Sequence, residues 1–334
     1  MSTILPTKPK NIDLAIVGAG LAGLSCGAVL GRAGLNVAFF EKSRGVAGRM
    51  STRMENEWQC DHGARYFTAR DPDFQMQLKQ WQEDGVAQLW NTSVGVYENG
   101  QWLTSQSRDL RYVGVPQMTA PAQYLARSLR VNSTHTVTYI NHTKDQWDIT
   151  TEEHGSLALK PDWLVIATPA PQALQLTQSI SSSICSLHHQ SKTQGCWTMM
   201  LRFDRPIFMP FEAAFINEGI LSWIARNNAK PMRNGPEVWV IHGQSDWSQA
   251  HIDHAPEVIA SKMIAAFMEL GGPMPADYRI HRWRYASSDP QFQPGFHIEP
   301  NQKLGFCGDW LHGGRVEGAW LSGKKLAEAI LAIL

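Results

Sequence analysis

Residues 13–23 read DLAIVGAGLAG, and this stretch decides the fold. Asp13 to Val17 is a short apolar run, the pattern of a buried strand. It ends in Gly18-Ala19-Gly20-Leu21-Ala22-Gly23, a G-x-G-x-x-G turn. Leu21 to Gly34 is helical in pattern and rich in Ala and Leu, and Asn36 to Phe40 is a second apolar run closed by Glu41. Strand, glycine turn, helix, strand and acidic residue, in that order, suit a dinucleotide. One glycine makes the tight turn, one lets backbone approach a pyrophosphate, and the last lets the helix lie close on the sheet. The helix N-terminus offers free N–H groups and partial positive charge to the phosphates. Glu41 lies 18 residues beyond Gly23, where a carboxylate can accept from both ribose hydroxyls.

Composition narrows the class. The chain has 334 residues, enough for one large or two moderate domains. Its 30 basic and 30 acidic residues cancel, and no long charge run appears, which argues against a nucleic-acid or polybasic membrane surface. The five cysteines, Cys26, Cys60, Cys185, Cys196 and Cys307, are scattered and never in C-x-x-C spacing. That predicts a reducing, cytoplasmic setting, with neither a disulfide framework nor a metal site. Met1 to Lys10 lacks the apolar core of a signal peptide, and no stretch reaches the ~18 to 20 apolar residues of a membrane span.

The residues after the second strand, Glu41-Lys42-Ser43-Arg44-Gly45-Val46-Ala47-Gly48-Arg49-Met50, resemble the extended fingerprint of FAD enzymes of the glutathione-reductase-like and amine-oxidase-like families. That resemblance implies FAD as the bound dinucleotide, with Arg49 beside the pyrophosphate. Ala47-Gly48 stands where the family usually has two glycines.

Further along, Asp71-Pro72 opens a helix to Gly85, with Phe74, Leu78 and Trp81 at helical spacing. Residues 88–103 alternate around Asn99-Gly100, a hairpin signal. A helix is expected over 121–129, paired strands over 134–140 and 146–151, and an apolar strand over 162–167, whose Ala167-Thr168-Pro169 ending resembles that of the strand that returns to the nucleotide-binding sheet in two-domain FAD proteins. Alternation over 193–203 and 239–245, a helix over 255–270 and a strand over 278–285 predict an antiparallel sheet with a helix on it. Leu304 to Cys307 reads as a strand before Gly308-Asp309, and Gly313-Gly314 leads into a terminal helix.

Several segments carry a narrower resemblance. Asp61-His62-Gly63-Ala64-Arg65-Tyr66-Phe67 is similar to the segment D-H-G-A-Q-Y-F of renalase-like flavoproteins. Leu221 to Pro231 looks like their S-W-x-A-R-N-x-x-K-P, Trp239 to Ser248 like their W-V-x-H and W-S, and Arg282 to Ala286 like their W-R-Y strand. The resemblance runs over nearly the whole chain and implies an α/β, two-domain, Rossmann-like flavoprotein with a mixed-sheet substrate domain. The FAD-binding domain would comprise residues 1–72, 108–172 and 298–334, and the substrate domain 73–107 and 173–297. The implied function is oxidation of 2- and 6-dihydro-NAD(P) isomers, with electrons passed to oxygen to give NAD(P)+ and hydrogen peroxide. A flavin-dependent amine or amino-acid oxidase, and a flavin-binding protein without turnover, are the alternatives.

The expected noncovalent FAD site comprises Gly18, Gly20, Leu21, Ala22, Gly23, Glu41, Lys42, Gly48, Arg49, Met50, Gly63, Ala64, Val137, Asp309, Val316 and Glu317. The expected substrate pocket comprises Tyr66, Trp223, Arg226, His242, Trp283 and Tyr285. Trp283 and Tyr285, two apart on a strand, form either an aromatic wall over the flavin or a sheet core. His242 is either a structural hydrogen-bonding residue or a donor to a carboxamide. Arg226 and Lys230 suit a substrate phosphate or carboxamide, or a solvated surface. Cys196 and Cys307 read as buried, inert thiols. No acid/base pair stands out, and hydride transfer from a dihydropyridine requires none, so no catalytic residue is assigned.

Overall fold

The computed structural model describes residues 13–143 and 145–334. The expected absence of a signal peptide over residues 1–10 concerns residues outside those described. The chain is a mixed α/β structure built on a six-stranded and a seven-stranded sheet.

The six-stranded sheet runs His297–Glu299, Leu304–Phe306, Trp163–Ile166, Asp13–Val17, Asn36–Glu41, Arg130–Ser133. All neighbours pair parallel except His297–Glu299, which runs antiparallel at the edge. The apolar stretches 14–17, 37–40 and 163–166 form strands because their residues are covered on both faces, the usual condition of a parallel sheet. Helix Leu21–Arg32 lies on one side and packs against the terminal helix Val316–Ile333. Their contact depends on Gly323, where a Cβ would stand 2.0 Å from the carbonyl oxygen of Ala22.

The seven-stranded sheet runs Asp277–Ser287, Gln194–Phe203, Glu237–Gly243, Leu221–Arg226, Ala213–Ile216, Val94–Glu98, Gln101–Thr104. Alternation within it explains where the site lies. Trp197, Met199, Leu201, Trp239 and Ile241 point to one face and bury against Ile259, Met263 and Phe267 of helix Pro256–Glu269. The opposite face carries Thr198, Met200, Val240 and His242, with Thr198 directly across from His242. That second face joins the core that includes the Rossmann helices and leaves Thr198 and His242 on a cavity.

Most expected elements form, with differences that have physical causes. The helix opened by Asp71 spans Pro72–Glu83, and the Asp71 side chain accepts from the Asp73 N–H at 2.9 Å. Asn99 and Gly100 take φ of 52° and 71°, as a two-residue hairpin turn requires. The alternating stretch before it does not form one strand, because Ala87–Leu89 pairs instead with Tyr112–Gly114. Arg130–Ser133, which lies between the expected helix over 121–129 and the expected strand over 134–140, is an edge strand, where one neighbour and a polar sequence give little alternation. Residues 239–245 yield a strand only to Gly243, since Ser245 opens the short helix Ser245–Ala250. No helix among the described residues is long and apolar enough to cross a membrane.

Candidate active site

The glycine turn separates two reasons for being glycine. Gly18 takes φ 101°, and its N–H donates to the Phe40 carbonyl at 2.9 Å. At Gly23 a Cβ would stand 2.3 Å from the Gly18 carbonyl oxygen, so this glycine seats the helix on the turn. Gly20 differs. Its φ of −73° and ψ of 175° suit any residue, and a Cβ there would meet nothing within 4 Å. Neither backbone nor packing requires glycine at position 20. The bare backbone at a helix N-terminus fits the close approach of a phosphate group.

Glu41, at the end of its strand, is 6% exposed and braces this turn. Its Oε2 accepts from the Ala19 N–H at 2.7 Å and its Oε1 from the Ser43 N–H at 2.8 Å. Each oxygen retains acceptor capacity. Ala47 adopts φ 95°, a left-handed conformation that glycine would take without strain, and its N–H donates to the Ala19 carbonyl at 3.0 Å. Arg49 forms a two-pronged ion pair with Asp309, one prong at 3.0 Å. Gly63 is tight for a fold reason, since a Cβ would stand 1.9 Å from the Arg49 carbonyl oxygen.

A cavity of about 1660 Å³ begins at this turn and extends under the seven-stranded sheet. That exceeds the ~300–1,000 Å³ of an ordinary ligand pocket, as a dinucleotide plus a second molecule would need. Of the expected cofactor residues, Gly18, Gly20, Leu21, Ala22, Glu41, Lys42, Gly48, Arg49 and Met50 line it. So do Gly63, Ala64, Val137, Asp309, Val316 and Glu317, whereas Gly23 stands behind the wall. Glu317 has a second task, for its Oε1 accepts from the Arg70 and Asp71 N–H groups at 2.6 and 2.7 Å.

Of the expected substrate-pocket residues, Tyr66, His242, Trp283 and Tyr285 line the cavity, and two do not. Trp223 is fully buried beneath the wall, in ring contact with Tyr66, Trp90 and Phe215. Arg226 sits at a strand end and binds Glu237 on the neighbouring strand at 2.8 and 3.0 Å. Lys230 is neither a surface charge nor a pocket residue. It is 2% exposed and bonds to Asp61 at 3.0 Å, beside Arg233 at 2.8 Å. Burial alone would raise the Asp61 pKa, but Lys230 and Arg233 hold the carboxyl well below the usual range. Arg284 points away from its aromatic neighbours, to Asp253 at 2.9 Å.

The structure adds groups that sequence reasoning did not assign. Arg65 lines the cavity and donates from Nε to His242 Nδ1 at 3.1 Å and from Nη2 to Ser222 Oγ at 2.8 Å. Burial and the nearby Arg65 charge push the His242 pKa well down, so its ring is neutral near pH 7. His62 stacks on Trp283 at 5.2 Å, and its backbone carbonyl accepts from Trp283 Nε1 at 3.0 Å. Burial, then His281 and Arg53, lower the His62 pKa to about 4. Cys196, expected to be buried, is instead half-buried on the cavity wall, and desolvation there pushes its thiol pKa up. Cys307 is fully buried. The signal for Arg65 is its place directly after Gly63-Ala64, where the quoted family segment has glutamine.

Residues 16–81 match the family described as NAD(P)-binding Rossmann-like domain, and residues 91–331 that described as flavin containing amine oxidoreductase. Protoporphyrinogen oxidase 2, chloroplastic/mitochondrial, of Arabidopsis thaliana is 32% identical over 121 residues, which is 35% of this chain and 21% of that protein. The match thus spans about a fifth of that relative's length. Among solved structures, a putative protoporphyrinogen oxidase from Exiguobacterium sp. 255-15 superposes with a TM-score of 0.77 at 12% identity. Cyclohexylamine oxidase from Brevibacterium oxydans IH-35A gives 0.73 at 13%, and putrescine oxidase bound to putrescine 0.72 at 12%. Each superposition covers 96% of this chain and 99% of the other. At such identities these are likenesses of fold.

Proposed function

This chain belongs to the flavin containing amine oxidoreductase family, and on that premise we propose that it is a renalase-like, FAD-dependent oxidase of dihydronicotinamide isomers, the 2- and 6-dihydro forms of NAD(P). Bound FAD supplies a two-electron acceptor that oxygen can reoxidise with release of hydrogen peroxide. In this reading the bare Gly20 backbone and the first turn of helix Leu21–Arg32 receive the pyrophosphate, and Glu41 receives ribose hydroxyls through the acceptor capacity its backbone bonds leave free. The FAD is held noncovalently. Cys196, the cysteine that lines the cavity, has a raised thiol pKa and is a poor nucleophile near pH 7.

The charge at the far end of the cavity carries the choice of donor. The wall segments 196–198, 242–245 and 281–287 contribute no Asp or Glu to the lining. Arg65 lines the same end, and the cavity histidines His62 and His242 are neutral. An alkylammonium would lose its hydration there, gain no carboxylate and face a guanidinium, a costly combination. A neutral dihydropyridine ring on an anionic dinucleotide has no such conflict. Its oxidation gives an aromatic pyridinium and requires no base. The chain's part is then positional: Trp283 and Tyr285 supply flat apolar surface, and His62 and its carbonyl fix the Trp283 ring.

Anaerobic mixing of the flavin-loaded protein with a panel of dihydronicotinamide isomers and primary amines tests the reading. Bleaching of the flavin band by 2- or 6-dihydro-NAD(P), with amines inert, is the expected result. Bleaching by an amine alone would replace this reading with an amine oxidase.

A further inference from the structure

Some cations at and behind the cavity wall have carboxylate partners, whereas Lys42, Arg44, Arg282 and Arg315, which also line it, have none among the described residues. Arg49 faces Asp309, Arg226 faces Glu237, and Lys230 and Arg233 share Asp61. Arg65, which lines the cavity, has no carboxylate partner among the described residues. Its bonded neighbours are all uncharged. Ser222 Oγ accepts from Nη2 at 2.8 Å and passes its own hydrogen to the backbone carbonyl of Gly243 at 3.0 Å. The guanidinium carbon lies 5.4 Å from the Trp223 ring centroid. His242 Nδ1 accepts from Arg65 Nε at 3.1 Å, so that nitrogen carries a lone pair and the ring proton is on Nε2. His242 is 6% exposed, and its Nε2 has no hydrogen-bond partner among the described residues. Arg65 Nη1 likewise makes no hydrogen bond among them.

A cation withdrawn from water without a counter-charge is costly, and a buried imidazole N–H without an acceptor adds to that cost. Arg65, half-buried in the cavity wall, serves neither as half of an ion pair nor as a clamp on backbone carbonyls. Thr198, across from His242 on the same face of the sheet, adds a hydroxyl to the cavity wall. We propose that Arg65 is a specificity-determining residue that holds an oxyanion of the electron donor, which in a dihydro-NAD(P) isomer is one of its phosphates. The guanidinium fork matches the planar pair of oxygens in such groups, and both charge and geometry favour them over a neutral amide. The inference deepens the oxidase reading and rests on it for the identity of the ligand as donor. The anion site itself is tested without turnover.

The flavin-loaded protein is titrated with benzoate, inorganic pyrophosphate and benzamide, followed by calorimetry and by perturbation of the flavin visible band. At least one anion is expected to bind about tenfold or more tightly than benzamide, the margin of a charge-assisted bond over a neutral one. A pyrophosphate preference fits a dihydro-NAD(P) donor, whereas a benzoate preference keeps the anion site and contradicts that donor, which has no carboxylate. Arg65→Gln should bring the preferred anion to within roughly threefold of benzamide, and Arg65→Lys should keep part of the preference. The proposal is overturned if benzamide binds as tightly as both anions, if neither anion binds at millimolar concentration, or if Arg65→Gln keeps the full preference. Should Arg65→Gln lose its flavin, the wild-type ratio and Arg65→Lys decide. Failure of the oxidase reading would show instead as flavin unbleached by any dihydropyridine, and leaves these affinities unchanged.

Discussion

Gly20→Ala should separate cofactor binding from folding. In the structure a Cβ at position 20 meets nothing within 4 Å, and the residue already has backbone angles that alanine adopts freely. The cost to the fold is the change of an N-cap from glycine to alanine, roughly 1 kcal/mol or less. The cost to the cofactor is larger. A methyl group there displaces a pyrophosphate from the first-turn N–H groups, and each such bond to a charged oxygen contributes about 1.5–3 kcal/mol. Loss of two weakens FAD by roughly 3–6 kcal/mol, a factor of about 10² to 10⁴ at 1.4 kcal/mol per decade. The contrast is Gly23→Ala, whose methyl would lie 2.3 Å from the Gly18 carbonyl oxygen and must move backbone. Circular-dichroism melts of the flavin-free proteins and calorimetric titration with FAD are the assays. Gly20→Ala should melt near wild type and bind FAD poorly, whereas Gly23→Ala should melt lower. A Gly20→Ala protein with wild-type FAD affinity would refute the placement of the pyrophosphate.

Other perturbations follow from the buried charges. Asp61→Asn leaves Lys230 and Arg233 in the core without their carboxylate and should cost about 3–5 kcal/mol in denaturant unfolding; a loss under about 1 kcal/mol would contradict the pairing. Glu41→Ala removes the acceptor for the Ala19 and Ser43 N–H groups, so it should lower both the melting temperature and FAD affinity, the latter by about tenfold or more. His62 has a folded pKa of about 4, against ~6.5 unfolded, so between those values the unfolded chain binds a proton that the native chain refuses. Stability should therefore fall as pH drops from about 6.5 to 4, by up to about 3 kcal/mol from this residue, with His242 acting in the same direction. His62→Asn should flatten that slope, read from denaturant midpoints across the range, and an unchanged slope would remove His62 as its source.

The Rossmann half was legible because its signals are local. Residues 13–41 carry strand, turn, helix and acid within one short stretch, so each element is read from residues adjacent in the chain. The strand Trp163–Ile166 was legible for the same reason, being apolar on both faces. The roles of Trp223, Arg226 and Lys230 were not, because they depend on partners distant in sequence. Asp61 and Lys230 are 169 residues apart, and nothing near Lys230 marks it as buried. Strand alternation shows that Trp223 faces one side of the sheet, but not that Tyr66, Trp90 and Phe215 fill the space before the cavity. Arg65 shows the limit most directly. Its position beside Gly63-Ala64 placed it near the site, yet its lack of an acid emerges only when strands Leu221–Arg226 and Glu237–Gly243 bring Ser222 and His242 to it.

The central claim is that the donor gives up a hydride without a protein acid or base. His62, His242 and His281 on the cavity wall all have depressed pKa values, and Cys196 has a raised one, so none of these four has its midpoint between about pH 6.5 and 8. Stopped-flow measurement of anaerobic flavin reduction by 6-dihydro-NAD(P) across that interval tests this directly. The limiting rate should change less than about twofold, because a dihydropyridine carries no ionisable group at its reacting carbon. A limiting rate that rises about tenfold per pH unit, or reduction by a primary amine with every dihydronicotinamide isomer inert, would contradict it.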